Sequence, residues 1–183
     1  MHIYQQLMTD HRNLARVLKV LEREIGRIGR EEDANEASPD MQLIEDILDY
    51  VHYYPDAFHH PLEDAAFDYL IEHDICSSED VADIRQEHKI QERQTTDLRQ
   101  MIQSIEADQP VPASKLHGTL SEYLALQYAH IRKEEERIFG LIKALDDNAS
   151  DQVASRVEQR TDPLFAKNSR QQFTELLRSL NED

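Results

Sequence analysis

The sequence predicts an all-α fold, an up-down four-helix bundle with short additional C-terminal helices. Three observations lead there. Apolar residues recur in steps of three and four along four long stretches, which is the period of one helix face. The chain holds only four Gly and six Pro, with few β-branched runs. Its 183 residues make one ordinary domain with room for a real core. The expected division is a bundle over 1–145 and a helical extension over 146–183 that covers part of it.

The first helix is predicted over residues 2 to about 28. Leu7, His11, Leu14, Leu18, Leu21 and Ile25 form its seam, with a histidine among leucines. Gly26 and Gly29 fray its end, and an acidic loop over 30–39 closes at Ser38-Pro39, a cap followed by a first-turn proline. The second helix spans about 39–53, with Met41, Ile44, Ile47, Leu48 and Val51 inward. Pro55 interrupts it, a further helical segment covers about 56–73, and Pro61 should bend that segment beside His59.

Ser77-Ser78-Glu79-Asp80 is a helix start, with cap residues followed by first-turn acids. The third helix runs to about 107 on a seam of Ile84, His88, Gln91, Thr95, Leu98, Ile102 and Ile105. Pro112 opens the fourth, which runs to about 145 with Leu116, Leu120, Tyr123, Gln127, His130, Glu134, Ile138 and Leu141 on one side. Two shorter helices are expected near 149–159 and 168–181.

The formal net charge of −17 argues against nucleic acid and anionic membranes as partners and favours cations. No apolar run approaches the ~20 residues of a membrane span. One cysteine, Cys76, excludes an internal disulfide framework and a cysteine-based zinc site. The N-terminal residues lack the basic and apolar regions of a signal peptide, so a cytoplasmic location is expected. The oligomeric state is open.

Four histidines, His11, His59, His88 and His130, each replace an apolar residue on a long-helix seam. A carboxylate follows His59 and His130 one turn later, at Glu63 and Glu134, so imidazole and carboxylate share a face. A His-x-x-x-acid pair is weak by itself on so acidic a chain, since His52/Asp56, His60/Asp64 and His88/Glu92 match as well. A lone seam histidine is ordinarily a core residue with a hydrogen-bond partner. Four of them on four helices, with two carboxylates, point to a shared metal site. Unpaired charges in an apolar interior are costly, and a cation offsets that cost. Six such donors exceed one structural zinc and suit two ions, with iron, manganese and zinc all open.

These residues resemble the hemerythrin-like family, also called the HHE cation-binding domain. The likeness rests on Asp10-His11, on His59-His60-Pro61-Leu62-Glu63-Asp64, on Glu87-His88, and on His130 with Glu134-Glu135. The resemblance implies a four-helix bundle around a non-haem di-iron centre, oxo- or hydroxo-bridged, which meets a diatomic gas or small oxidant. It also implies His11, His59, His88 and His130 as terminal ligands and Glu63 and Glu134 as bridges. The sequence departs at one place. Oxygen carriers of the family have His-x-x-x-His on the third helix, whereas here Ile84 stands four before His88 and Glu92 four after it. Glu92 or water then fills that position, and the expected role moves from reversible oxygen carriage toward sensing, iron handling or stress response. A di-iron enzyme that reduces peroxide or nitric oxide, or oxidises iron, is the alternative. A purely structural acidic bundle is the third.

Among the remaining residues, His60 lies about 100° round from His59 and is expected outside the ligand set, against Asp64 or a ligand carboxylate. Tyr123 is expected in the core. Glu135 is read as a solvated acid or a partner of a ligand.

Overall fold

The computed structural model describes residues 2–29, 38–158, 162, 164, 176 and 178–180. The elements are α1 (Ile3–Ile25), α2 (Met41–Tyr53), a π-helical turn (Pro55–His59), α3 (His60–Glu72), α4 (Ser78–Glu106), α5 (Ala113–Arg137), α6 (Phe139–Lys143) and α7 (Asp147–Ala154). No strand occurs among the described residues. The fold is all-helical.

The predicted seams are the buried faces. Leu7, His11, Leu14, Leu18, Leu21 and Ile25 of α1 are all buried, as are Ile84, His88, Gln91, Thr95, Leu98 and Ile102 of α4. Neighbouring helices pack α1 on α2, α2 on α4, α4 on α5, and α5 on α1. The apolar interior has two parts. One gathers Leu18, Leu21, Ile44, Leu48, Leu98 and Leu120. The other gathers Ile3, Leu7, Leu70, Val81, Ile84 and Ile142. The polar residues at issue sit between these two apolar ends.

The boundaries follow local chemistry. His2 caps α1: Nδ1 accepts from the Tyr4 N–H at 3.2 Å, while Nε2 donates to the Leu145 carbonyl at 2.8 Å. That strap, with the Ile3 N–H on Ser150 Oγ at 2.9 Å, ties the chain start to the α6–α7 corner. Asp40 caps α2 by accepting from the Leu43 N–H at 3.0 Å, two residues later than the Ser-Pro start predicted for this helix. Its carboxylate gives a free first-turn N–H the acceptor that a proline side chain cannot supply. Ser77 and Asp80 close a capping box on α4.

The fourth long helix ends earlier than the sequence suggests. It stops at Arg137, and Ile138 (φ −116°) offsets the next turn. That offset stacks Phe139 on His11, with ring centroids 4.7 Å apart. After it, α7 covers Asp147–Ala154 where 149–159 was expected. The helix expected over 168–181 lies for the most part outside the described residues; 176 and 178–180 are helical. Leu164, Leu176 and Leu180 are buried in the first apolar cluster, and Asp162 accepts from Tyr50 Oη at 3.0 Å.

The π turn is the other departure. Pro55 opens it and the His60 N–H reaches the Pro55 carbonyl, a π-type bond. Pro61 has no N–H to give, and it falls in the first turn of α3, where none is needed. Where the sequence predicts a bend beside His59, the chain makes one turn of wider helix.

Glu24 is fully buried and accepts from Arg27 Nη1 at 2.7 Å, Arg23 Nε at 3.3 Å and the Asp40 N–H at 3.0 Å, pinning the end of α1 to the start of α2. Glu24→Ala should lower unfolding stability in urea by about 1–3 kcal/mol, discounted because both guanidinium groups are one-third exposed.

Candidate metal centre

Two carboxylates, Glu63 of α3 and Glu134 of α5, are wholly inaccessible to solvent. Imidazole nitrogens surround them. His11 Nε2 lies 3.5 Å from Glu63 Oε1 and 3.3 Å from Glu134 Oε2. His59 Nε2 is 3.3 Å from Glu63 Oε1. His88 Nε2 is 3.4 Å from Glu63 Oε2 and 3.0 Å from Glu134 Oε1. His130 Nε2 is 3.0 Å from Glu134 Oε1. All six residues that the sequence singled out therefore meet at one place.

The structure adds His60 and leaves out Glu92. Donor atoms of His60, Glu63, His88 and His130 lie within 4.8 Å of one another, and those of His11, His59 and Glu63 do the same. Glu63 belongs to both groups, and Glu134 touches rings of both. His60 is buried and stacks on His88, centroids 4.4 Å apart and planes 9° from parallel. The expectation that it stands apart assumed an unbroken α-helix; the π turn ending at His59 brings both rings inward. Glu92 is exposed on the outer side of α4, and Ile84 is buried apolar core. His60, from α3, would thus supply the imidazole that α4 lacks.

Each of these rings also has an acid behind it. Asp10 Oδ2 accepts from His59 Nδ1 at 3.3 Å, Glu87 Oε2 from His130 Nδ1 at 2.9 Å, and Glu135 Oε1 from His11 Nδ1 at 3.1 Å. Asp64 Oδ1 stands 3.3 Å from His88 Nδ1, and Asp56 Oδ1 3.5 Å from His60 Nδ1, both without hydrogen-bond alignment. An acid at Nδ1 fixes the proton there and turns the Nε2 lone pair toward the two buried carboxylates, the arrangement of metal-ligating histidines. The signal for these acids lay beside the motifs: Asp10 precedes His11, Asp64 follows Glu63, Glu87 precedes His88 and Glu135 follows Glu134. A neighbour in sequence sits about 100° round the helix, so each acid faces the adjoining helix and backs that helix's histidine.

Donor chemistry and unmet valence both fit a metal pair. Both oxygens of Glu63, Oε2 of Glu134 and Nε2 of His130 are buried without a hydrogen-bond partner. Five imidazoles and two carboxylates form a borderline N/O set suited to iron, manganese or zinc. His11, His59 and Glu63 would hold one ion; His60, His88, His130 and the carboxylates would hold the other.

Protonation tells the same story. Burial opposes charge on His11, yet Glu134 and Glu63 raise its pKa to about 9. Burial likewise opposes charge on His59, which Glu63 and Asp10 lift to about 10, and on His88, which Asp64, Glu134 and Glu63 lift to about 12. His60 is pushed down by burial and by His88 and His59. Burial and Glu63 push Glu134 up, but the rings of His11, His130 and His88 hold it at about 2. Burial raises the Asp56 carboxyl to about 7.

Compared with protein families, the chain matches the Hemerythrin HHE cation binding domain over residues 2–142. It belongs to that family. No curated protein and no solved structure matches it. Family membership makes this a cation-binding domain, and the His/Glu cluster is where a cation fits.

Protons and metal compete for the same nitrogens. His11, His59 and His88 have folded pKa values above 6.5, so their stabilisation is complete below pH 6.5 and disappears as pH rises through about 9 to 12. Glu134, held below 4.5, stabilises above pH 4.5 and ceases to as pH falls through about 2. Chelator-treated protein should therefore show a melting temperature that falls above pH 9 and falls again below pH 4.5. Metal-loaded protein should not share the alkaline decline, and adding metal in weak buffer at pH 7 should release protons to a pH electrode. Glu87→Gln should weaken metal binding about 10–100-fold by competition with a chromophoric chelator.

Proposed function

We propose that this chain is a non-haem di-iron protein that binds or senses oxygen or nitric oxide, or handles iron under stress. One observation carries the reading: five inward imidazoles, each with a carboxylate close to its Nδ1, enclose two buried and partly unpaired carboxylates. Two bound irons would supply redox capacity and open coordination positions for a diatomic ligand or small oxidant. The protein's own part is to hold donors and exclude water. Glu63, common to both donor groups, would bridge the ions, and Glu134 would join it. Phe139 over His11 and Phe67 beside His88 keep the surroundings apolar.

The reading includes an up-down order of α1, α2–α3, α4 and α5. The supporting acids stand one residue before the ligand on α1 and α4, and one residue after it on α3 and α5. A step of −1 on an ascending helix and +1 on a descending one rotate the same way seen from one end. With alternating directions, every acid points to the next helix round the bundle. The reading also takes the protein to be cytoplasmic; its charge of −17 disfavours nucleic acid and anionic lipid.

A second reading, a di-iron enzyme acting on peroxide, nitric oxide or ferrous iron, is favoured by the cleft between α4 and α5 that has His130 in its wall.

Metal analysis of purified protein should give two irons per chain with near-ultraviolet charge-transfer absorption that shifts on adding nitric oxide to the reduced form. His59→Ala, Glu63→Ala and His60→Ala should each lose metal and lower the melting temperature, while Glu92→Ala should keep both. Full metal retention in the first three would rule the assignment out. Multiple turnovers of peroxide would favour the enzyme over the sensor.

A further inference from the structure

A cleft of about 180 Å³ opens between α4 and α5, lined by Glu87, Ile90, Gln91, Gln94, Leu126, Ala129 and His130. Two of these, Ile90 and Leu126, are large apolar residues left 39% and 44% exposed. A third, Gln91, is only 2% exposed, yet its Oε1 has no hydrogen-bond partner, and neither does Oε1 of Gln94. Unmet amides buried beside an apolar mouth are costly unless something completes them. The metal reading makes no use of them, because neither is among the donor residues or the acids behind them.

We propose that this cleft is a binding site for a small neutral organic molecule with an apolar body and one hydroxyl or hydroperoxyl group. The body lies against Ile90, Leu126 and Ala129, and the O–H donates to the unpartnered amide oxygen of Gln91, a residue of the cleft wall. Volume sets the size: an apolar cavity of about 150 Å³ accepts benzene, so this one accepts about six to eight non-hydrogen atoms. Charge sets the class. The acid in the wall, Glu87, already accepts from His130 and pairs with Lys133, so the wall holds no uncompensated charge to recruit either a cation or an anion. With His130 in the wall, a molecule seated here lies next to the histidine cluster. The inference goes beyond the di-iron reading and does not need the ions to be iron.

The probe is benzyl alcohol, followed by saturation-transfer-difference NMR on the full chain as purified. Saturable binding, displaced by pentan-1-ol and absent for benzoate, is expected. Leu126→Trp, at an exposed position, should fill the cleft and abolish binding with metal content and melting temperature unchanged. Gln91→Leu should weaken benzyl alcohol about tenfold and leave toluene unaffected, as loss of one hydrogen bond requires. No saturable binding, or binding that survives Leu126→Trp, overturns the site. Equal weakening of alcohol and toluene by Gln91→Leu, or of neither, overturns the assigned head group. Metal content measured on the same samples separates these failures from a failure of the metal reading.

Discussion

The structure depends on neutralising two carboxylates that have no access to water. An ionised carboxylate in an apolar interior costs several kcal/mol unless positive charge or donors meet it. Glu63 and Glu134 lie side by side at the middle of the molecule, so each also raises the cost of the other. Every nearby feature answers that demand. Histidine stands where leucine would serve a plain seam, and the ring nitrogens converge from α1, the π turn, α3, α4 and α5. Protons or cations can both satisfy the site, which is why its chemistry and its stability are one problem.

The acids behind the rings spread this demand over the whole bundle. Asp10 on α1 holds His59, Asp64 on α3 lies against His88 of α4, Glu87 on α4 holds His130 of α5, and Glu135 on α5 holds His11 of α1. The contacts return to the helix where they began. No helix presents its ligand unaided, so the rotation of each is checked by a neighbour. Rigid placement of this kind is what a metal site needs to favour one geometry over a looser set.

Much of this was legible in the sequence, and the part that was not has a definite cause. Seams at steps of three and four located the buried faces of α1, α4 and α5, because those helices are regular and their polar residues fall on the same period as their apolar ones. The same register brought His11, His59, Glu63, His88, His130 and Glu134 to one point. His60 was not legible, because its position depends on a single wide turn that no propensity of Pro55–His59 announces. Glu92 was misleading for the opposite reason: four residues after His88 looks inward on paper, but on α4 the buried neighbour is Gln91, three after. The acids were visible beside each motif, yet their partners lie on other helices, and spacing along one chain carries no information about that.

The π turn has one more consequence. Stepping by 3.6 residues from the buried side of α2 (Ile44, Leu48, Val51) leads to about Leu62, whereas the carboxylate that must point inward is Glu63. A wide turn takes up one extra residue without leaving the helical path. It therefore acts as a phase shifter in a single rod, letting the apolar half keep its own angular setting while the ligand-bearing half adopts another. Shortening the rod by that residue would dial Glu63 away from the centre while leaving the apolar side of α2 in its own register.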